Sequence, residues 1–141
     1  MVRFKLDPEI MGLSSVFECE AKVAVKDCFR DDETIFYIVG EGEAGRAIGK
    51  GGMHVKQIQE KLGKRIRIIE YHENVEQFVR NVIAPLQVEQ VRLREGVVII
   101  ADSSRKTKSL LMGRESKNLE LLQRAVRRFF SVDVKFELLT R

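Results

Sequence analysis

Ala47-Ile48-Gly49-Lys50-Gly51-Gly52-Met53-His54-Val55 decides how this chain folds. Three glycines and a lysine stand between two segments of helical character. Gly45-Arg46-Ala47-Ile48 leads in, and Met53 to Leu62 leads out, with Val55, Ile58 and Leu62 at helical spacing. A glycine loop at a helix entrance lets the backbone approach a ligand, because no Cβ intervenes. It also leaves the first N–H groups of the next helix, near Met53 and His54, facing an anion. Lys50 adds positive charge at the tip. The stretch suits a phosphate or a phosphodiester backbone.

Two phosphate-binding loops are excluded by what is missing. A mononucleotide P-loop needs a glycine five residues before Gly49, where Ala44 stands, and a hydroxyl after Lys50, where Gly51 stands. A dinucleotide fingerprint needs a strand running straight into the loop, and here a short helical segment precedes it. What survives is helix, Gly-x-x-Gly, helix.

Charge is distributed to match. Residues 1–45 hold five basic and ten acidic residues. Residues 46–67 reverse the balance, with Arg46, Lys50, Lys56, Lys61, Lys64, Arg65 and Arg67 against Glu60 alone. Residues 103–128 hold eight basic residues and two acids. Two basic stripes on a chain of net charge +4 point to a polyanionic partner. Hydrophobic residues make up 44% of 141, enough for a buried core. No apolar run approaches the ~20 residues of a membrane span. Met1-Val2-Arg3-Phe4-Lys5 is not followed by an apolar core, so no signal peptide is expected. A cytoplasmic protein, with no membrane association, follows. Cys19 and Cys28 match no zinc spacing and read as reduced thiols. His54 and His72 have no neighbouring ligands, so no metal and no cofactor is expected.

From the N-terminus, Asp7-Pro8 reads as a cap and first helical position, opening a helix to about residue 20 with Ile10, Leu13, Val16 and Phe17 on one face. Alternation predicts a strand over Ala21–Phe29, with Val23, Val25 and Cys28 against Lys22, Lys26 and Asp27. Thr34–Val39 is a β-branched and aromatic run, an interior strand. After the loop and its helix, Gly63 is a helix stop. Arg65–Tyr71 is a strand with Ile66 and Ile68 on one face and Arg65 and Arg67 on the other.

The order then repeats. Asn74 caps a helix carrying Val75, Phe78, Val79 and Val82; strands follow over Val88–Arg94 and Val97–Ala101. Ser103 or Ser104 caps a short helix holding Leu110 and Leu111. Gly113-Arg114-Glu115-Ser116 falls where the first half has Gly49-Lys50-Gly51-Gly52, 64 residues on. A helix with Leu119, Leu122, Val126 and Phe130 and a strand over Val132–Leu138 complete the half. The aromatics Phe36, Phe78, Phe129 and Phe130 fall on core faces. Each half reads α-β-β-α-α-β, an internal duplication with halves at 1–73 and 74–141.

With these residues in view, the chain resembles the tandem KH-domain proteins in the type II element order. Ile48-Gly49-Lys50-Gly51-Gly52-Met53-His54-Val55 matches the I-G-x-x-G-x-x-I/V core of that family, whose GXXG loop clamps a nucleotide backbone. More narrowly, Ala47 to Val55, the Lys64-Arg65-Ile66 strand entry and Met112-Gly113-Arg114-Glu115 are similar to the KH pair of the NusA transcription factors, in their short archaeal-type form. The resemblance implies an α+β fold of two three-stranded sheets, each with helices on one face, and single-stranded RNA as ligand. It implies RNA-binding positions at Arg46, Ile48, Gly49, Lys50, Gly51, Gly52, Met53, His54, Val55, Lys56, Arg65 and Arg67, and at Gly113, Arg114 and Lys117 in the second half. Ile48 and Val55 would floor a groove, with Arg65 and Arg67 at its wall. Ser116 and Glu115 depart from the motif: one adds a Cβ and the other a carboxylate, so a weaker second clamp is expected.

The expected function is elongation, termination or antitermination of transcription. RNA polymerase or ribosomal components are the expected protein partners, and the chain is expected to be a monomer. Adaptor work in the ribosome or RNA processing, or protein docking with a degenerate second domain, are the alternatives. No Ser/His/Asp or Cys/His arrangement suggests catalysis, so an enzyme is not expected.

Overall fold

The computed structural model of the protein describes residues 8–140. The sequence readings of Met1–Lys5 and of an Asp7 cap lie outside them. By its internal contacts the chain divides into two compact units, Met1–Tyr71 and His72–Arg141.

In the first unit, helix α1 (Pro8–Ala21) is followed by strands β1 (Val25–Arg30) and β2 (Thr34–Val39). Helix α2 (Ala44–Ile48), a single 3-10 turn (Lys50–Gly52), helix α3 (Met53–Leu62) and strand β3 (Arg65–Glu70) complete it. The sheet order is β1-β2-β3, with β1 antiparallel and β3 parallel to the central β2. Parallel neighbours need a crossover, and here the crossover is α2, the glycine turn and α3. The turn is thus held at both ends by elements packed on one sheet.

One core joins these helices to the sheet. Phe17 and Ala21 of α1, Ala47 of α2 and Ile58 of α3 pack with Cys28, Ile35, Tyr37, Val39 and Ile66 of the strands. Tyr37 is its centre: its ring stacks on Phe17 at 4.2 Å and its hydroxyl donates to the Leu13 carbonyl at 2.7 Å. Burial pushes the Tyr37 phenol well above its ordinary pKa, with Cys28 adding to the effect.

The first expected strand starts late. Ala21 is still helical, and Lys22 takes a left-handed φ of 60° with its N–H on the Glu18 carbonyl at 3.0 Å, a helix ending. Val23 is buried without belonging to a strand, so its alternation with Lys22 reports burial and not β geometry. The register of β1 on β2 shifts between Val25 and Asp27. Asp27, expected among the polar residues, is fully buried, and its Oδ1 accepts the Cys28 N–H at 2.8 Å. β3 ends one residue early, at Glu70.

The second unit holds α4 (Val75–Ile83), β4 (Gln90–Arg94), β5 (Val97–Asp102), α5 (Arg105–Met112), a 3-10 turn (Arg114–Ser116), α6 (Lys117–Arg127) and β6 (Asp133–Leu138). Its sheet order is β4-β5-β6, again antiparallel then parallel. Phe78 of α4 is fully buried and meets the Phe129 ring edge-on at 5.5 Å. Of the two serine caps considered, Ser104 is the one used: its Oγ accepts the Thr107 N–H at 3.2 Å. Ser103 instead gives its N–H to Glu89 at 2.9 Å. β4 starts at Gln90, two residues after the expected Val88, because the Glu89 N–H is taken by the Asp102 carboxylate at 3.0 Å.

Asn74 caps α4 as expected, with Oδ1 accepting the Gln77 N–H at 3.0 Å. Asn74→Ala is expected to destabilise the second unit by about 1 kcal/mol, read in urea unfolding; no loss would mean that the α4 terminus is held by packing alone.

Candidate nucleic-acid interface

The glycine turn uses its three glycines for two different reasons. Gly49 has φ 82° and ψ 163°, a backbone region closed to residues with a Cβ. A Cβ there would also stand 2.8 Å from Cγ and Nδ1 of His54. Gly51 (φ 65°, ψ 17°) and Gly52 (φ 76°, ψ 18°) are left-handed, but a Cβ on either would meet nothing within 4 Å. The first glycine is thus demanded by the protein itself, and the other two leave open space.

The turn in the second unit follows the same path. Gly113 has φ 71° and ψ 178°, Glu115 55° and 32°, and Ser116 62° and 21°. Lys117 (φ −63°, ψ −41°) opens α6 as Met53 (φ −63°, ψ −37°) opens α3. The one glycine retained is the one that no other residue can replace. Glu115 and Ser116 are held left-handed at some cost, since a Cβ disfavours that region by roughly 1–2 kcal/mol.

These paths decide which amides are available. The Gly52 N–H bonds the Gly49 carbonyl at 3.0 Å, and the Met53 N–H bonds the Lys50 carbonyl. Of the donors that the sequence reading placed near Met53 and His54, that of Met53 is thus used within the turn; at the tip, the Lys50 and Gly51 N–H groups find no acceptor among the described residues. In the second unit the Ser116 and Lys117 N–H groups are used in the same way, on Gly113 and Arg114.

Around the first turn, Lys50 and Lys56 are exposed, as are Ile48 (39%) and Met53 (47%), two large apolar side chains flanking it. Val55 packs on the core from its rim, and Ile58 lies fully inside. Arg46 is exposed and pairs with Glu43 at 2.8 Å. His54 is half-buried, and its Nδ1 lies 3.1 Å from the Arg46 carbonyl oxygen. In the second unit Arg114, Lys117 and Glu115 are exposed, and Gly113 and Ser116 are half-buried. Asn118, which the sequence reading passed over, donates from Nδ2 to the Leu110 carbonyl at 3.0 Å.

Arg65 and Arg67 are not brought to the turn. Ile66 points into the helix-side core, so its neighbours on β3 point to the opposite sheet face. Arg67 sits there opposite Phe36 in register, half-buried, and burial draws its guanidinium pKa below the ordinary value.

What β3 brings to the helices is its backbone edge. It pairs on one side only. The Arg65 and Tyr71 N–H groups point to the β2 side, on Glu33 and Val39 carbonyls at 3.1 and 2.8 Å. Alternation sends those of Ile66 and Ile68 outward. The Ile66 N–H is taken by Gln59 Oε1 of α3 at 3.2 Å, leaving the Ile68 amide and carbonyl at the free edge. Sequence periodicity assigned Ile68 a face; its edge role needed the sheet order.

Among the described residues, no group of three or more His, Cys, Asp or Glu is placed to hold a metal ion, and no helix is long and apolar enough to cross a membrane.

The KH domain family model matches residues 14–85, from within α1 to beyond α4. The probable transcription termination protein NusA of Methanocaldococcus jannaschii is 37% identical over 131 residues, covering 91% of this chain and 72% of that protein. The protein of the same description from Halobacterium salinarum is 32% identical, covering 92% and 94%. The crystal structure of APE1850 superposes with a TM-score of 0.75 at 32% identity, covering 94% of this chain and all of that one. The chain belongs to the KH-domain proteins, among their NusA-like members.

Proposed function

We propose that this chain is a NusA-like transcription factor that binds single-stranded RNA along its two glycine-type turns. The observation that carries the reading is the pair of unbonded amides at Lys50 and Gly51, on an exposed, positively charged tip whose path recurs in the second unit. Each half, 1–73 and 74–141, is then a KH domain of the type II order. Phosphates would meet the Lys50 and Gly51 amides and the Lys50 ammonium, with Lys56 and Arg46 adding field; bases would rest on Ile48, Met53 and Val55. The Ile68 edge offers one donor and one acceptor for a base edge, the element that can carry sequence preference. Arg65 and Arg67 would serve a more distant stretch of chain, from the other sheet face.

The second turn offers the same backbone with Arg114 and Lys117, opposed by the Glu115 carboxylate. Two weak clamps on one strand gain through effective concentration. The role is binding without a catalytic step, in the cytoplasm, and RNA polymerase is the natural protein partner of such a factor in termination or antitermination.

Fluorescence anisotropy against single-stranded RNA and DNA, in a salt series, tests the reading. About four phosphate contacts predict a slope near −3 for log K against log salt. Affinity that ignores salt would refute backbone clamping.

Replacing Glu115 and Ser116 together by glycine is expected to tighten RNA binding about threefold, by removing a carboxylate, and to stabilise the second unit by about 2 kcal/mol, by relieving two left-handed residues. Weaker binding in that variant would mean that Ser116 itself touches the RNA.

A further inference from the structure

One contact recurs in the two units with different chemistry. His54 Nδ1 lies 3.1 Å from the Arg46 carbonyl oxygen, and Asn118 Nδ2 donates to the Leu110 carbonyl at 3.0 Å; in both, donor and acceptor are eight residues apart. Histidine and asparagine share little except a planar nitrogen bonded to Cγ, and that nitrogen makes the contact in both. The two acceptors lie near the ends of α2 and α5, where helix carbonyls lack intrahelical partners. The same side chains lie against the retained glycines: a Cβ on Gly49 would be 2.8 Å from His54 Cγ, and one on Gly113 would be 2.6 Å from Asn118 Cγ.

We infer that His54 and Asn118 are positioning residues, latches that tie the first turn of the helix after each loop to the last turn of the helix before it. The strap spans the turn from helix to helix and holds it while leaving the Lys50 and Gly51 amides unbonded. A turn held this way loses less freedom when a strand binds. The latch also accounts for the glycine at 49 and 113, since the side chain occupies the space a Cβ would need. A carbonyl only accepts, so the His54 proton is on Nδ1, leaving Nε2 without it in the neutral ring.

The inference rests on the RNA reading for its consequence but not for its geometry, and the two are tested apart. In the free protein, long-range nitrogen–proton NMR is expected to show neutral His54 as the Nδ1–H tautomer; the Nε2–H tautomer would overturn the latch. Backbone order parameters over residues 50–52 are expected to fall in His54→Ala and to recover in His54→Asn, which carries the second unit's own latch. Unchanged order in His54→Ala, or no recovery in His54→Asn, would also overturn it. With a fluorescently labelled pool of random-sequence single-stranded RNA, His54→Ala is expected to bind about three- to tenfold more weakly, and His54→Asn to recover most of the loss. If His54→Ala does not fold, the tautomer and the same RNA titration of Asn118→Ala and Asn118→His decide. A wild-type protein that shows the Nδ1–H tautomer and ordered turn yet binds no RNA would sink the functional reading and leave the latch standing.

Discussion

Lys50→Asp combined with Gly51→Asp is expected to weaken single-stranded RNA binding by about 100-fold. One ammonium is lost and two carboxylates arrive beside the two free amides. A charge-assisted contact is worth roughly 1.5–3 kcal/mol, and repulsion adds to its loss, so about 3 kcal/mol is at stake. The fold should tolerate the change. Lys50 is exposed, and a side chain at 51 projects into open space. Aspartate also accepts left-handed φ better than most residues, at a cost of about 1 kcal/mol. Anisotropy titration beside thermal unfolding separates the two effects. A folded double variant with unchanged affinity would move the binding surface away from this turn.

Gly49→Ala should be the most damaging single methyl in the first unit, at about 3 kcal/mol of stability. The backbone at φ 82° and ψ 163° is closed to alanine at roughly 1–3 kcal/mol, and the new Cβ would press on the His54 ring and the His54 amide nitrogen, 3.1 Å away. Gly51→Ala, with a left-handed φ of 65° and no contact, should cost only about 1 kcal/mol. Urea unfolding of the two variants, followed by residue-resolved hydrogen exchange to assign the loss to the first unit, makes the comparison. Equal losses would mean that the three glycines serve one purpose. The second unit has already made this substitution experiment, keeping Gly113 and replacing the other two by Glu115 and Ser116.

The sequence also marked Gly51 and Gly52 as close-approach positions; among the described residues, a Cβ on either would meet nothing within 4 Å, so the space beside them is open. The acidic Glu115 is equally plain in the sequence; its left-handed backbone is not, because glutamate seldom goes there and only the surrounding turn and helices impose it.

Local patterns by themselves determined much of this protein. The β-branched run at Thr34–Val39, the helix from Met53 to its stop at Gly63, the Asn74 cap and the placing of both turns were all legible, because each depends on residues within about four positions of one another. Tertiary structure alone decided the rest: the buried Asp27 at a register shift, Arg67 on the sheet face away from the turn, the Ile68 edge, the free amides at Lys50 and Gly51, and the latches at His54 and Asn118. Each of these depends on what does or does not lie across a strand pair, on another helix or round the turn. Side-chain periodicity states which way a residue leans but not what it meets.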